Sequence, residues 1–324
     1  MELIKLSPEM YLQWDSFVDE AVGGSIYSKS SYLDCGNFKY EIFAVIKNNR
    51  IIAGTAIVKN ELSVCSNPIF VKHLGILYEE SRTTKINKFI TFQHQINEIF
   101  INELFNKIGV YKYIFHPDIK NLMMFLWKNY SLTPGYTYQF NFKSLSNNNI
   151  QLYYNERTKR YLKISQRNHL LICPVSNDDF YNVIKKTYSF RKTPVPFSKN
   201  FFVSFTEKLS KCGLLHKKAV IDNDGNVHAV AAIIYDSKSA NLILNGSDPQ
   251  FRKYGGNVMI IDNMINFAKS NSGIFDFEGS MHQRIESFYR GFGAELVSYF
   301  TVNKNNCKTK CYDFLINIIK KYYK

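Results

Sequence analysis

Two acidic residues stand where acids are scarce. The stretch "FDFEGS" sets Asp276 and Glu278 two positions apart in a segment that otherwise has the composition of a strand. Carboxylates are depleted in strands and costly to bury. On an extended chain, residues two apart share one face, here Ile274, Asp276 and Glu278. One carboxylate could then hold an ammonium ion. The other, its pKa raised by the like charge and by partial burial, could take a proton from it. In the competing reading Asp276 or Glu278 pairs with Arg284 or Arg290 and simply holds the next helix. Arg290 in "FYRGFG" could equally bind an anionic group of a substrate, whereas Phe288, Tyr289 and Phe292 have the character of core.

A second group of residues suits an anion. "GSDPQFRKYGGN" runs from Gly246 to Asn257, between a strand and a helix. Glycines let the backbone turn and come close, and the free N–H groups of a helix start, with the helix dipole, favour negative charge. Arg252 and Lys253 could meet outer oxygens, with Gly255, Gly256 and Asn257 opening the helix. The alternative is an ordinary glycine-rich loop with solvated cations. No metal is expected: the six cysteines and seven histidines are dispersed, with no C-x-x-C, H-x-x-x-H or H-E-x-x-H spacing.

The whole chain sets the context. It has 324 residues, 45% of them hydrophobic, and a net charge of +14 from 41 basic and 27 acidic residues. The charge favours an anionic partner: nucleic acid, a phosphate-rich donor or a membrane surface. The basic tail "LINIIKKYYK" could touch such a surface, and Arg157, Arg160 and Lys163 make a basic helix face. No run of about 18 apolar residues and no signal-peptide pattern is present, so a cytoplasmic protein is expected.

The elements that must position these residues occur twice. Residues 41–58, "EIFAVIKNNRIIAGTAIV", and 217–234, "KKAVIDNDGNVHAVAAII", both read as strand, polar turn, strand. After the first hairpin come a strand at 72–77, an amphipathic helix at 84–107 with Ile86, Phe89, Phe92, Ile96, Ile99, Phe100 and Leu104 as its stripe, a strand at 111–117, a short helix and a strand at 136–142. After the second come a strand at 240–246, a helix at 255–270, a strand at 273–279, a short helix and a strand at 297–302. "SLSNNN" near 143–152 reads as the junction. The expected class is α+β, with two tandem domains, 1–147 and 148–324, each a mixed, mostly antiparallel sheet flanked by helices. The first copy's counterpart of the glycine loop, "LYEESRTTKINKF", has no glycine and carries Glu79 and Glu80. Its counterpart of the acidic strand, "YIFHPD", lacks the acid pair.

The repeated unit resembles the GNAT acyltransferase fold, and its tandem form resembles the FemAB-like and BioF-like group. The resemblance rests on "WDSFVDEAVGGSIYSKSSYL" (14–33), "ERTKRYLKISQRN" (156–168) and above all "FDFEGSMHQRIESFYRGFGAE" (275–295). "RKYGGN" is similar to the GNAT pyrophosphate loop, although its two glycines are adjacent. The resemblance implies an N-acyltransferase that moves an acyl group from acyl-CoA to an amine of a small molecule or cell-envelope precursor, such as an amino sugar or amino acid. The alternatives are a Fem-type enzyme using aminoacyl-tRNA, and a binding protein without catalysis on the same scaffold. It also implies that the donor enters between strands 240–246 and 273–279 of the second domain, with Glu278 or Asp276 as base. Tyr27, Lys29 and Tyr32 are expected to line the acceptor cleft, with Trp14 in the core. Expected partners are the amine acceptor, tRNA in the Fem-type reading, and a peripheral membrane contact, but not DNA.

Overall fold

The structure, a computed structural model, describes residues 1–59, 64–80, 84–109, 111–279, 281–308, 310–311 and 314–315. The first half runs β1 (Glu2–Lys5), α1 (Tyr11–Glu20), α2 (Ser30–Cys35), β2 (Tyr40–Lys47), β3 (Arg50–Val58), β4 (Cys65–Ser66), β5 (Leu77–Tyr78), α3 (Ile86–Glu103), β6 (Tyr111–Ile114), α4 (Met123–Trp127) and β7 (Tyr130–Asn141). The second runs α5 (Glu156–Arg167), β8 (Leu171–Cys173), α6 (Asn177–Phe190), α7 (Lys199–Lys211), β9 (Leu215–Ile221), β10 (Val227–Tyr235), β11 (Ser239–Ser247), α8 (Gly256–Asn271), β12 (Ile274–Asp276), α9 (Gln283–Arg290) and β13 (Glu295–Lys304). The expected α+β class is what forms, and both hairpins are antiparallel pairs.

Two compact units result: Met1–Gly135 with the described residues from Ser298 onward, and Tyr136–Val297. The division departs from the expected 1–147 and 148–324 because the two copies exchange their last strands. Residues Gln139, Phe140 and Asn141 of β7 pair antiparallel with β12 of the second unit. Residues Thr301, Val302 and Asn303 of β13 pair antiparallel with β6 of the first.

In the first unit β1, β2, β3 and β5 form one sheet. Trp14 of α1 is fully buried, as expected, and its indole N–H donates to the Ser28 carbonyl at 2.8 Å. The buried face of α3 is rotated from the expected stripe: Gln93, Ile96, Asn97, Phe100 and Ile101 face in, while Ile86 is exposed. Asn97 is drawn inward by the Tyr78 hydroxyl, which donates to its Oδ1 at 2.5 Å.

In the second unit the strand order is β7-β12-β11-β10-β9-β8. The core joins Ala229, Ala231 and Ile233 of β10, Ile260, Ile261, Met264 and Ile265 of α8, and Phe275, Phe277, Tyr289 and Phe292. Burying side chains of this size stabilises by about 1.5–3 kcal/mol each. It anchors α8 and α9 against the sheet and fixes the ends of β11 and β12.

Candidate functional site

The parallel pair β11 and β12 stays together for three residue pairs only, Ser239–Ile274, Ala240–Phe275 and Asn241–Asp276. β11 then continues to Ser247, still paired with β10 but, among the described residues, with no strand on its other side. Its register with β10 slips at the same place: Ala232 faces Leu244 and Ile233 faces Leu242, so Ile243 is an extra, bulged residue. A bulge takes backbone groups out of the ladder and twists the strand. Along this stretch Ile243 and Asn245 keep partial exposure between buried neighbours.

β12 leaves the sheet through its own side chain. Asp276 is 3% exposed, and its Oδ1 accepts the Thr137 hydroxyl at 2.5 Å and the Glu278 N–H at 2.6 Å. Its Oδ2 accepts the Gln139 amide at 2.7 Å. This side-chain turn puts Glu278 and Gly279 in the left-handed region, at φ 61° and 63°. A Cβ on Gly279 would lie 2.1 Å from the Tyr136 carbonyl oxygen, so glycine is required there. The expected face of Ile274, Asp276 and Glu278 is therefore broken. Strand alternation stops at Asp276, which is held by three protein donors, and Glu278 stands half-buried on the turn beyond it. Ser280 lies outside the described residues.

Facing the open edge of β11 is a group that sequence reasoning assigned to the core or left out. The Tyr289 hydroxyl donates to Asn245 Oδ1 at 3.0 Å, and Asn245 Nδ2 approaches Asn257 Oδ1 at 3.5 Å. Tyr289 is 6% exposed. Burial pushes its phenol pKa above the ordinary range; the positive charge of Arg191 opposes this, and Glu278 and Tyr188 add to it. The phenol thus keeps its proton at neutral pH. An amide inside the aliphatic run "LILNG" was the available signal for Asn245, and "FRKTPVPF" contained Arg191.

The glycine loop is built differently from the expected phosphate cradle. Pro249–Tyr254 form a 3-10 turn begun by Asp248, whose side chain accepts the Gln250 N–H at 3.0 Å and the Lys186 ammonium at 2.6 Å. Gly255 and Gly256 are both buried. Gly255 has φ 81°, and a Cβ there would sit 2.3 Å from the Tyr161 carbonyl oxygen of α5. A Cβ on Gly256 would lie 2.9 Å from the His228 Cβ. The glycines serve close packing against α5 and β10, so they do not fit an open backbone seat for the pyrophosphate of acyl-CoA. The cations do fit an anion. Arg252 and Lys253 are exposed, with the Arg252 guanidinium 4.1 Å from the Phe190 ring centroid and the Lys253 ammonium 5.0 Å from that of Tyr254. Partial burial lowers the Arg252 pKa, with the neighbouring charge of Arg191 adding to the effect and Asp248 opposing it.

The remaining expected residues are placed as follows. Arg290 is exposed, and its Nε donates to Glu286 Oε1 at 2.9 Å one helical turn back; the Glu286 carboxylate also accepts the Tyr138 hydroxyl at 2.6 Å. It is a surface pair on α9. Tyr27 and Tyr32 have no exposed surface and pack edge to face, their ring centroids 5.5 Å apart. The Tyr32 hydroxyl donates to the Phe70 carbonyl at 2.5 Å. They belong to the core of the first unit and do not present faces to an open cleft, a correction to the expectation. Lys29 pairs with Asp19 at 2.6 Å. Arg157, Arg160 and Lys163 are exposed along α5, the two arginines lying 6.0 and 5.7 Å from the Tyr161 ring. Among the described residues, no three His, Cys, Asp or Glu side chains are gathered as for a metal ion, and no helix is long and apolar enough to cross a membrane. In the tail "LINIIKKYYK" residues 316–324 lie outside the described residues, as do 81–83 of the first copy's loop.

By sequence the chain matches no family model and no curated protein. By structure it is similar to FemX, with a TM-score of 0.66 at 10% identity, covering 93% of this chain and 97% of that one. It is similar to L-PGS from Bacillus licheniformis, with a TM-score of 0.57 at 9% identity over 96% of each chain. It is also similar to a tandem GNAT protein from the clavulanic acid biosynthesis pathway, with a TM-score of 0.53 at 7% identity, over 94% of this chain and 99% of that one. The fold is that of the tandem GNAT-like, FemAB-like group.

Proposed function

We propose that the protein is an N-acyltransferase and that the second unit holds the activated acyl group where β11 and β12 part. The observation that carries this reading is the coincidence of the Ile243 bulge with the end of the β11–β12 pairing, beside Tyr289, Asn245 and Glu278. A carbonyl lying along the freed edge of β11 meets backbone N–H groups that no strand uses, which suits the oxygen that becomes negative during acyl transfer.

In the reaction an amine nitrogen attacks the acyl carbon. The new C–N bond forms as the bond from that carbon to the leaving sulfur or oxygen breaks. Glu278 takes the proton that the amine gives up, and Tyr289, a phenol protonated at neutral pH, gives one to the leaving group. Asp276 acts through Glu278 by fixing its amide. Arg191 and Arg252 meet the donor's phosphates, and Asn257 orients Asn245.

The acceptor class is an amine on an amino sugar, an amino acid or an envelope precursor. Acyl-CoA is the first donor reading. The buried Gly255 and Gly256 favour a second, in which side chains alone meet the phosphates, as at the 3′ end of an aminoacyl-tRNA with the exposed basic face of α5 available to the RNA.

The deciding assay offers an acyl-CoA panel and charged tRNA to wild type and Glu278→Gln, with amino sugars and amino acids as acceptors. Amide product from one donor class, lost in Glu278→Gln at unchanged melting temperature, supports the reading. No product and no thermal stabilisation by any donor sinks it and favours a binding protein.

A further inference from the structure

Helix α4 of the first unit is apolar at all five positions, Met123 to Trp127. A helix that is hydrophobic on every side is expected to be buried on every side. Here Met124 and Phe125 face in, and Phe125 packs against Phe105, Phe115 and Tyr130. Met123, Leu126 and Trp127, at i, i+3 and i+4, form the opposite face and are exposed, Trp127 to 58%. The helix therefore leaves an apolar face to solvent.

The patch extends onto α3. Ile86, Ile90 and His94 recur every four residues along one stripe. Ile86 and Ile90 are exposed, and His94 meets the Trp127 ring edge to face, the centroids 5.2 Å apart. Polar contacts hold the two helices side by side. Asn121 gives its amide N–H to Gln93 Oε1 at 3.2 Å, its Oδ1 lies 3.3 Å from His94 Nε2, and Lys128 pairs with Glu98 at 3.0 Å. Five large apolar side chains on one surface exceed the scattered exposure that is ordinary for a folded protein.

Charge favours one occupant. Segments 84–98 and 118–128 carry the patch. Their described residues include Lys85, Lys88, Lys120 and Lys128 against Glu98 and Asp118, four basic to two acidic, and Glu98 is matched by Lys128. A second copy of the chain would bring the same lysines and its own net charge of +14 against them. An anionic surface is attracted instead. Trp, Leu, Met and Ile beside lysines suit the boundary between lipid headgroups and acyl chains, where an indole ring is both apolar and able to donate.

We propose that the α3–α4 face of the first unit docks on an anionic lipid surface, with Trp127, Leu126 and Met123 entering the headgroup boundary. The contact is independent of the reaction proposed above.

The test uses the full chain and vesicles of phosphatidylcholine, with and without phosphatidylglycerol, read by co-sedimentation and by tryptophan emission. Of the two tryptophans, Trp14 has no exposed surface, so a shift of emission to shorter wavelength on mixing reports Trp127. The emission should shift, and the phosphatidylglycerol vesicles should bind at least roughly tenfold more tightly than phosphatidylcholine alone, less so at high salt. Leu126→Ser changes an exposed position and keeps Trp127 as the probe; it should weaken binding by about tenfold. Trp127→Ala, checked by melting temperature, should weaken it as much or more. Lys120→Glu should narrow the gap between the two kinds of vesicle. Sedimentation with no emission shift, or sedimentation unchanged in Leu126→Ser and Trp127→Ala but abolished by removing residues 316–324, assigns the contact to another surface and overturns the proposal. An emission shift that grows with protein concentration without lipid marks self-association and overturns it too, as does binding to neither kind of vesicle.

Discussion

Asp276 holds the backbone of Glu278: the carboxylate of the first accepts the N–H of the second at 2.6 Å and bends the chain out of the sheet. The two acids are therefore unequal. One is a buried hub for Thr137, Gln139 and the turn, and the other is the half-buried residue which that hub positions.

If Asp276 is such a hub, removing it is a stability experiment. Asp276→Ala leaves three donors without their acceptor, at about 1–3 kcal/mol per buried group in the worst case. The expected loss is about 2–4 kcal/mol, read as a lower denaturation midpoint at unchanged slope. Asp276→Asn keeps the Oδ1 contacts and should lose less. A neutral Asp276→Ala would refute the hub.

The glycine loop separates packing from donor binding. Gly255→Ala places a methyl group 2.3 Å from the Tyr161 carbonyl oxygen at a φ of 81°, so it should cost about 2–4 kcal/mol with no donor present. Arg252→Ala touches an exposed side chain and should change stability by less than about 0.5 kcal/mol while raising the donor's KM. Thermal melts and donor titrations of the two variants test the contrast. Equal thermal stability in both would overturn the packing account.

Legibility followed the range of the interactions. The hairpins at 41–58 and 217–234 were readable because alternation and turn residues are local, and α8 was readable from its glycine start. What the glycines pack against was not, because the Tyr161 carbonyl and the His228 side chain come from distant elements. Tyr27 and Tyr32 were expected to line a cleft, but a hydroxyl that reaches a backbone carbonyl can be buried, as that of Tyr32 is. The strand exchange was hidden for a different reason. β7 and β13 have interchangeable patterns, and nothing local says which sheet each completes. Asn245 passed as one residue of a strand and Tyr289 as core, and only the fold brings them within 3.0 Å.

One buried and one half-buried histidine set an acid limb on stability. Burial lowers the His216 pKa to about 4, with Lys218 adding to the shift and Asn263 opposing it. His73 is lowered well below the ordinary value, first by burial and then by His116 and Lys72. Unfolded, both take up a proton near pH 6.5. Above that pH neither state is charged. Below it the unfolded chain binds protons that the folded chain refuses, so stability falls as pH drops from about 6.5 to about 4. His216→Phe keeps a ring against Phe267 and should remove part of the slope, leaving that of His73. Urea unfolding at about pH 7 and about pH 5 measures it, and a flat wild-type profile contradicts the argument.

The Tyr289 phenol should matter to turnover more than to folding. Tyr289→Phe loses one hydrogen bond to Asn245, about 1 kcal/mol, but also the proton for the leaving group, worth about 10²-fold or more in kcat. A substrate with a more acidic leaving group should recover much of that loss. If kcat is unchanged for a poor leaving group, Tyr289 is only core.

Glu278 offers the sharpest discrimination, because its backbone and side chain pull in opposite directions. At φ 61° a non-glycine residue carries a conformational cost of about 1–2 kcal/mol, and the next residue, Gly279, shows that the turn readily takes glycine. Glu278→Gly relieves that cost, although it loosens the unfolded chain, so the protein should be as stable as wild type or more so by up to about 1 kcal/mol. Turnover should nevertheless fall by about 10²-fold or more, and Glu278→Gln should show the same loss with the strain kept. A glutamate that costs stability and yields turnover is what a base on a strained turn requires. If Glu278→Gly loses stability, or retains turnover, the residue belongs to the turn and the base must be sought elsewhere.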